Sequence, residues 1–374
     1  MKILVVNRHF EDGFGGSEIH CDIVTKQLVR LGHDVVYGIV NARKDSYNVD
    51  YKCVLIEKPF VVGFQKVLKS LRPDLVYWRF NKNHLLAAAL LTHYCRAAFI
   101  FHISSAEDTE RWSVSGARSS NPKDISKKGK LSYSVKKLLN TIRCLPHIFL
   151  NYYGFYFMDA VICEKDDDMN KLPVKTQVKI YDFTTSNYKP FKWDKPFVIW
   201  IANLKPRKNP ERYIELAANF QERNIDFLMI GKIADPEYQY ILNKANLPRN
   251  LHYLGIVQTN EEVNGIINSS LFLVHTCEPE GFGCVFPQAW LQGKPTISLY
   301  FDPEEIITKN QVGFVSGSPQ KMVEDTEKLI KNEKLRCSMG EKARELAITR
   351  FSAEVNVKKT ENLFLDVIKR RSCH

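Results

Sequence analysis

Between Glu278 and Ser298 the chain reads Glu-Pro-Glu280-Gly281-Phe282-Gly283-Cys-Val-Phe-Pro-Gln288-Ala-Trp-Leu-Gln-Gly293-Lys-Pro-Thr-Ile-Ser. The segment follows an apolar, strand-like run from Leu271 to Val274. Its spacing predicts a helix over 284–292, with Gly293 as the cap and Pro295 as the stop before a second strand over 296–299. A carboxylate, two glycines and a helix start thus meet at a strand end, where open α/β sheets take their ligands. Exposed amides and the helix dipole suit a phosphate there. Glu280 is left to accept hydrogen bonds from hydroxyls beside that phosphate. A phosphate next to a polyol is the chemistry of a nucleotide sugar. An ordinary strand–loop–helix turn without a ligand uses similar residues, so the other constellations carry weight.

The second is Ala202-Asn203-Leu-Lys205-Pro-Arg207-Lys208-Asn-Pro-Glu211, after the strand-like run Phe197 to Ala202. Three cations within four residues, ahead of a helix opening at Pro210, make an anion-binding corner. The competing reading is a basic surface turn that caps a helix. The third is Gly13-Phe-Gly15-Gly16-Ser17-Glu18, after the first strand. Glu at position 18 breaks the dinucleotide fingerprint, and Ser17 is equally an expected N-cap. The fourth is His102, which ends the run Ala98-Phe-Ile-Phe-His and has Glu107 and Asp108 close by in sequence.

Together these segments resemble the family-four retaining glycosyltransferases (glycosyl transferases group 1), which have the GT-B fold. That family's signature is Glu-Gly-Phe-Gly, a second Glu eight positions after the first, then Ala and a Gly-x-Pro stop. The first Glu maps to Glu280, and the second position holds Gln288. The resemblance implies that Glu280 lies against the donor sugar and that the loop Gly281, Phe282, Gly283 lies at the diphosphate. It implies a ribose contact at Gln288, here through an amide. It also implies an Arg and a Lys five positions apart facing the diphosphate. Lys208 matches the Lys, while Asn203 stands in place of the Arg, leaving Arg207 or Lys205 to supply the charge. Gly16 is implied to let backbone approach the donor from the first domain, and His102 to stand near the reactive carbon. The strand end Leu254 to Val257 is implied to hold the nucleobase through its backbone. Glu305 occupies a further family position and is expected to pack or cap. Cations fixed against a departing diphosphate stabilise the transition state over the ground state. No metal is then needed, and no Asp-x-Asp motif is read that would hold one. No side chain is marked as a nucleophile, and the resemblance implies front-face attack with retention.

The elements that must position these residues alternate in the βαβ manner. Strands are expected at 2–6, 33–38, 74–77, 98–102, 160–163 and 178–181, with a helix from Glu18 to Leu31. The Lys- and Ser-rich stretch 114–131 reads as an insertion, and the polar, Pro-punctuated stretch 183–196 as a linker. Beyond it come strands at 197–202, 227–231 and 251–255, helices at 210–223 and 261–268, and charged amphipathic helices from Ser318 to Arg371. The expected fold is α/β, a GT-B pair of Rossmann-like domains with parallel sheets facing a cleft that closes on the donor. The acceptor-side domain is expected at 1–185 with a basic insertion at about 111–147, and the donor domain at 196–350. A final helix over 351–374 is expected to cross back to the first domain. The length of 374 residues allows two such domains, and 44% apolar with 25% charged residues excludes a disordered chain or a fibre.

Net charge is +11, and the stretch 111–147 supplies nine basic residues against one acid, Asp124, or 9 − 1 = +8. The aromatic run His147 to Phe157 follows it. Basic residues beside aromatics suit an anionic membrane surface, with a solvated loop and a core helix as the alternative. No nucleic-acid motif accompanies the charge, so no nucleic-acid partner is expected. The nine cysteines are scattered without metal spacing and read as buried, reduced thiols. The chain opens directly on a strand and has no apolar run of about 18 residues. A cytoplasmic protein, peripheral at the inner face of a membrane, is expected. Expected partners are a nucleotide sugar (a UDP- or GDP-sugar as substrate) and a glycan or lipid-linked acceptor, in polysaccharide or lipopolysaccharide assembly. No cofactor is expected. A nucleotide-sugar epimerase or hydrolase is the first alternative. A non-catalytic glycan- or membrane-binding protein with a degenerate donor site is the second, favoured by Asn203 and Gln288.

Overall fold

The apolar run after Met1 forms β1 (Lys2–Asn7), and Ile3 to Asn7 are all buried, as a central parallel strand requires. It pairs in parallel with β2 (Asp34–Val40) and β4 (Leu75–Trp78). The remaining strands of this sheet are β3 (Lys52–Ile56), β5 (Ala98–His102), β6 (Ala160–Cys163) and β7 (Gln177–Lys179), in the order β3-β2-β1-β4-β5-β6-β7. The second sheet runs β10-β9-β8-β11-β12-β13. Its strands are β8 (Phe197–Ile201), β9 (Asp226–Ile230), β10 (Leu251–Gly255), β11 (Leu273–His275), β12 (Thr296–Ser298) and β13 (Gly313–Val315). All pairings are parallel, and both sheets have the strand order of a Rossmann fold. This computed structural model describes residues 1–12, 15–80, 82, 84–103, 106–109, 145–146, 148–169, 171–235, 237–242, 247–277 and 282–372.

The chain divides into a first unit, Met1–Tyr181 with Val357–His374, and a second unit, Asp182–Asn356. Trp78, Phe101, Phe64 and Phe155 centre the first core, and Trp200, Phe227, Val274 and Met322 the second. The final helix, Ala353–Ser372, begins in the second unit and ends in the first. There Phe364 meets the Tyr77 ring at 5.6 Å, Glu361 pairs with His33 at 2.8 Å, and Arg371 pairs with Asp159 at 2.8 Å.

Several local expectations need correction. The first helix spans Gly16–Arg30 and its N-cap is Gly15, so Ser17 is no cap; its hydroxyl donates to Glu18 Oε2 at 2.9 Å. The helix expected over 210–223 ends at Ala218, where the Asn219 side chain turns back to the Glu215 carbonyl at 2.8 Å. The stretch expected as a linker lies along the helix Asn260–Ser269. Asn264 donates to the carbonyls of Thr185 and Asn187, and Ser269 to that of Phe191. Among the described cysteines Cys21, Cys163 and Cys277 are buried and reduced, but Cys53 and Cys337 are exposed. Most of the basic insertion, 111–144 and 147, lies outside the described residues.

Candidate donor site at the switch point of the second unit

The strand order of the second sheet reverses between β8 and β11, whose ladder holds the single pair Leu273 with Ile199. Ligands of open α/β sheets bind outside the strand ends at such a reversal. Both sequence constellations leave the sheet here. β8 runs into Asn203 and the single 3₁₀ turn Pro206–Lys208, and β11 runs into Thr276 and the Glu280 segment.

One residue joins them. The Trp200 indole donates to Thr276 Oγ1 at 2.9 Å, and that hydroxyl donates to the Lys208 carbonyl at 2.7 Å. Asn209 Nδ2 completes the knot on the Thr276 carbonyl at 3.2 Å. Asn209 adopts φ +45°, so it ends the 3₁₀ turn and opens the helix Pro210–Ala218 at once. The turn that carries Lys205, Arg207 and Lys208 is therefore fixed to the first residue beyond β11. Sequence reasoning missed Thr276, because a lone threonine after a strand carries no distinguishing pattern.

Asn203 turns its amide oxygen to the Lys232 N–H at 3.3 Å, at the end of β9. Val257, just past β10, is half-buried. Glu280 and Gly281 lie outside the described residues. Phe282 is buried against the Phe351 ring at 5.5 Å. Gly283 takes φ +88°, a conformation that disfavours any side chain, and its carbonyl accepts from the Phe286 amide at 3.0 Å. Cys284 Sγ donates to Asp182 at 2.7 Å. The helix that follows covers only Val285–Leu291, shorter than the expected 284–292. Seven residues make a weak dipole, which leaves the cationic turn as the stronger source of positive charge at this corner.

Gln288 is largely buried on that helix and donates through Nε2 to Asn260 Oδ1 at 2.6 Å. Asn260 in turn donates to the hydroxyls of Thr184 and Thr185 at 3.3 and 3.4 Å. The capping box of Thr259 and Glu262 fixes Asn260 at the first position of its helix. The amide nitrogen of Gln288 is thus engaged inside the protein.

In the first unit Gly16 is exposed at the start of its helix, and the Glu18 carboxylate folds over Gly15. His102 is fully buried at the end of β5. Its ring meets the Tyr77 hydroxyl and, at 2.8 Å, an Arg79 guanidinium nitrogen, while Arg79 pairs with Glu164 at 2.8 Å. His20, on the helix that Gly16 opens, packs edge-on against it at 5.1 Å. Among the described residues no group of three His, Cys, Asp or Glu side chains is arranged to hold a metal. Asp166-Asp167-Asp168 satisfies Asp-x-Asp literally, but it sits in the first unit, with Asp166 on Lys179 and Asp168 on Lys171.

Residues 184–346, the body of the second unit, match the family model described as glycosyl transferases group 1. The chain is 27% identical over 182 residues, 46% of each chain, to N-acetyl-alpha-D-glucosaminyl L-malate synthase of Bacillus anthracis. It is 26% identical over 236 residues to poly(ribitol-phosphate) alpha-N-acetylglucosaminyltransferase of Staphylococcus aureus (strain COL), covering 56% of this chain and 47% of that one. It thus spans about half the length of these curated relatives. Its backbone is similar to that of Anabaena HepE, solved in complex with UDP and glucose, at a TM-score of 0.70 and 16% identity, over 98% of this chain and 100% of that one. The two parallel sheets and these likenesses give the chain the GT-B fold, and its second unit carries the match to the glycosyl transferases group 1 model.

Proposed function

We propose that the protein transfers a sugar from a nucleotide-sugar donor, UDP- or GDP-linked, to a glycan or lipid-linked acceptor with retention at the anomeric carbon. The observation that carries this reading is the Thr276 knot, which fixes a cationic turn to the first residue beyond β11 at the switch point. On this reading Lys208 and Arg207 hold the diphosphate and stabilise the charge that grows on it as the glycosidic bond breaks. Glu280 accepts from the sugar hydroxyls, the Gly281–Gly283 loop lies along the phosphates, and Gln288 takes the ribose. Backbone near Val257 takes the base. Gly16 lets backbone approach from the first unit, and His102 supports that side from its buried position.

The relatives favour an amino-sugar donor, since both carry N-acetylglucosaminyl in their names. HepE adds support for a uridine nucleotide. A polysaccharide or lipopolysaccharide pathway, worked from the inner face of a membrane without a metal, completes the proposal. A second reading, a non-catalytic binder, draws on Asn203 and Gln288, neither of which supplies the family's charge.

Thermal unfolding with UDP, GDP, ADP, CMP and their sugars separates the two. A ligand that binds only the folded state adds about 2.7 kcal/mol at a hundredfold excess over its dissociation constant. A melting shift with one nucleotide series, abolished by Lys208→Ala, is expected. Turnover of that sugar only when a glycan acceptor is added excludes an epimerase or hydrolase. No shift with any nucleotide would leave the binder reading in its place.

A further inference from the structure

We infer that Arg79 and Glu164 are positioning residues that hold His102 as a neutral imidazole at the end of β5. The register of the first sheet brings the three together. Trp78 pairs with Phe101, which sets Arg79 beside His102, and His102 pairs with Ile162, two residues before Glu164. Side chains alternate across a sheet, so Tyr77, Arg79, His102 and Glu164 share one face. The other face carries Trp78, Phe101 and Cys163, which belong to the apolar core. Backbone bonds carry the ladder past the strand ends. The Arg79 amide donates to the Val6 carbonyl at 3.1 Å, and the Ile103 amide to that of Ile162 at 3.0 Å. Tyr77 and His102 are fully buried, and Arg79 and Glu164 are 2% and 7% exposed.

A buried ion pair rarely adds stability over an apolar set of the same size, so the use of this one lies elsewhere. The charges around the ring decide its state. The guanidinium keeps its charge and only donates, and one of its nitrogens stands 2.8 Å from Nε2 and 3.0 Å from Nδ1. Glu164 Oε1 is farther, 3.8 Å from Nε2, and is itself paired with Arg79 at 2.8 Å. A proton added to the ring therefore meets more repulsion than attraction, by about a third. Burial away from water acts in the same direction. Also facing the ring are the Tyr77 hydroxyl, on Nδ1, and His20 of the first helix, edge-on at 5.1 Å. Neither brings a negative charge at neutral pH, so Arg79, His102 and Glu164 together carry no net charge. This assignment rests on the proposed function only for the use of the ring. There, positive charge grows on the sugar carbon as its bond to the diphosphate breaks. An imidazolium on the first-unit side would oppose that growth, and a neutral ring does not.

Nitrogen NMR of the full chain with labelled imidazoles tests the state directly, the His102 signals being those that His102→Gln removes. One protonated and one bare ring nitrogen, unchanged between about pH 5 and about pH 8, are expected. In Arg79→Gln the carboxylate stays without its cation, so the ring should take up a proton within that range. Arg79→Gln with Glu164→Gln removes both charges and should return the ring to neutral. The double variant also leaves no lone buried charge, so it serves should the single one fail to fold. On activity, kcat of Arg79→Gln should fall by about tenfold or more toward pH 5 relative to the natural chain, as the neutral fraction of the ring falls. Arg79→Lys, which keeps the cation, should restore the natural profile. A His102 that titrates in the natural chain, a ring that stays neutral in Arg79→Gln, or a kcat profile of that variant parallel to the natural one would overturn the proposal. The nitrogen spectra need no substrate, so a failure of the transferase reading leaves the state of the ring decided on its own.

Discussion

Gln288 is one of two residues, with Asn203, at which the family pattern and this chain part, and the structure gives it a local setting. Its Nε2 is engaged by Asn260, which is itself held by the hydroxyls of Thr184 and Thr185. An amide held this way has a fixed orientation, which presets the direction of its carbonyl oxygen. On the proposed function, Asn260 therefore orients the ribose contact without making it. Asn260→Ala frees the amide to rotate, and losing one net hydrogen bond of about 1–1.5 kcal/mol weakens nucleotide binding by about tenfold. Inorganic pyrophosphate, which has no ribose, should bind the variant and the natural chain alike; isothermal titration with both ligands checks this. Equal losses for the two would place Asn260 in general packing. At this scale residue types were legible, since cations beside a predicted helix start and glycines beside a carboxylate have few uses. Their fasteners were not. Thr276, Asn260 and Asp182 are common residues brought to the site by contacts 102 residues apart or fewer, and no spacing announces them.

Between residue and fold, the turn after β1 carries the chain into the Gly15–Gly16 loop. His9 is fully buried there among Phe10, Tyr37, Tyr47 and Tyr51, and bonded to the Tyr51 hydroxyl at 3.2 Å. Tyr51 donates onward to Asp22 at 2.9 Å, which Lys26 also holds. Across the turn Tyr47 and the Arg43 amide reach Asp12, and Lys44 reaches Glu11. Burial pushes the imidazole down from 6.5 to about 4, against the pull of Glu11 and Asp12. The unfolded chain therefore binds a proton at His9 before the folded one does. The stability this site provides is complete above about pH 6.5 and is lost as pH falls toward 4, a loss of about 3 kcal/mol. His9→Gln should remove that part of the acid sensitivity; melting temperatures of both proteins between those limits test it. Parallel curves would mean that another group titrates. The strand and helix periods behind this turn were legible wherever burial is one-sided or complete. The edge strand β3, with Lys52 and Cys53 exposed, and the three-residue β13 were missed, because short or half-solvated strands lack the continuous apolar run. The helix Leu85–Tyr94 went unseen for the opposite reason: Leu and Ala cover most of its circumference and leave no amphipathic contrast.

Over the whole molecule, the first unit is closed by most of the helix Ala353–Ser372. Asp159, just before β6, is where that closure concentrates. Burial works against its ionisation, but the His93 ring, the Phe99 amide and the Arg371 guanidinium hold its carboxyl below the usual carboxylate value. A carboxyl lowered in this way stabilises the folded state above about pH 4, and the contribution disappears as pH falls through the lowered value. Asp159→Asn leaves Arg371 without its counter-charge and should cost the first unit about 2–3 kcal/mol at neutral pH, with the difference from the natural chain shrinking at acid pH. Because the two units have separate cores, that loss should be confined to one of them. Calorimetry of Asp159→Asn should then show an earlier transition for the first unit, while the transition of the second keeps its position and alone moves up with bound nucleotide. A single transition that shifts as a whole would mean that the helix Ala353–Ser372, shared by both units, couples them into one cooperative structure. In that case the stability of the second unit would depend on whether that helix holds its place in the first.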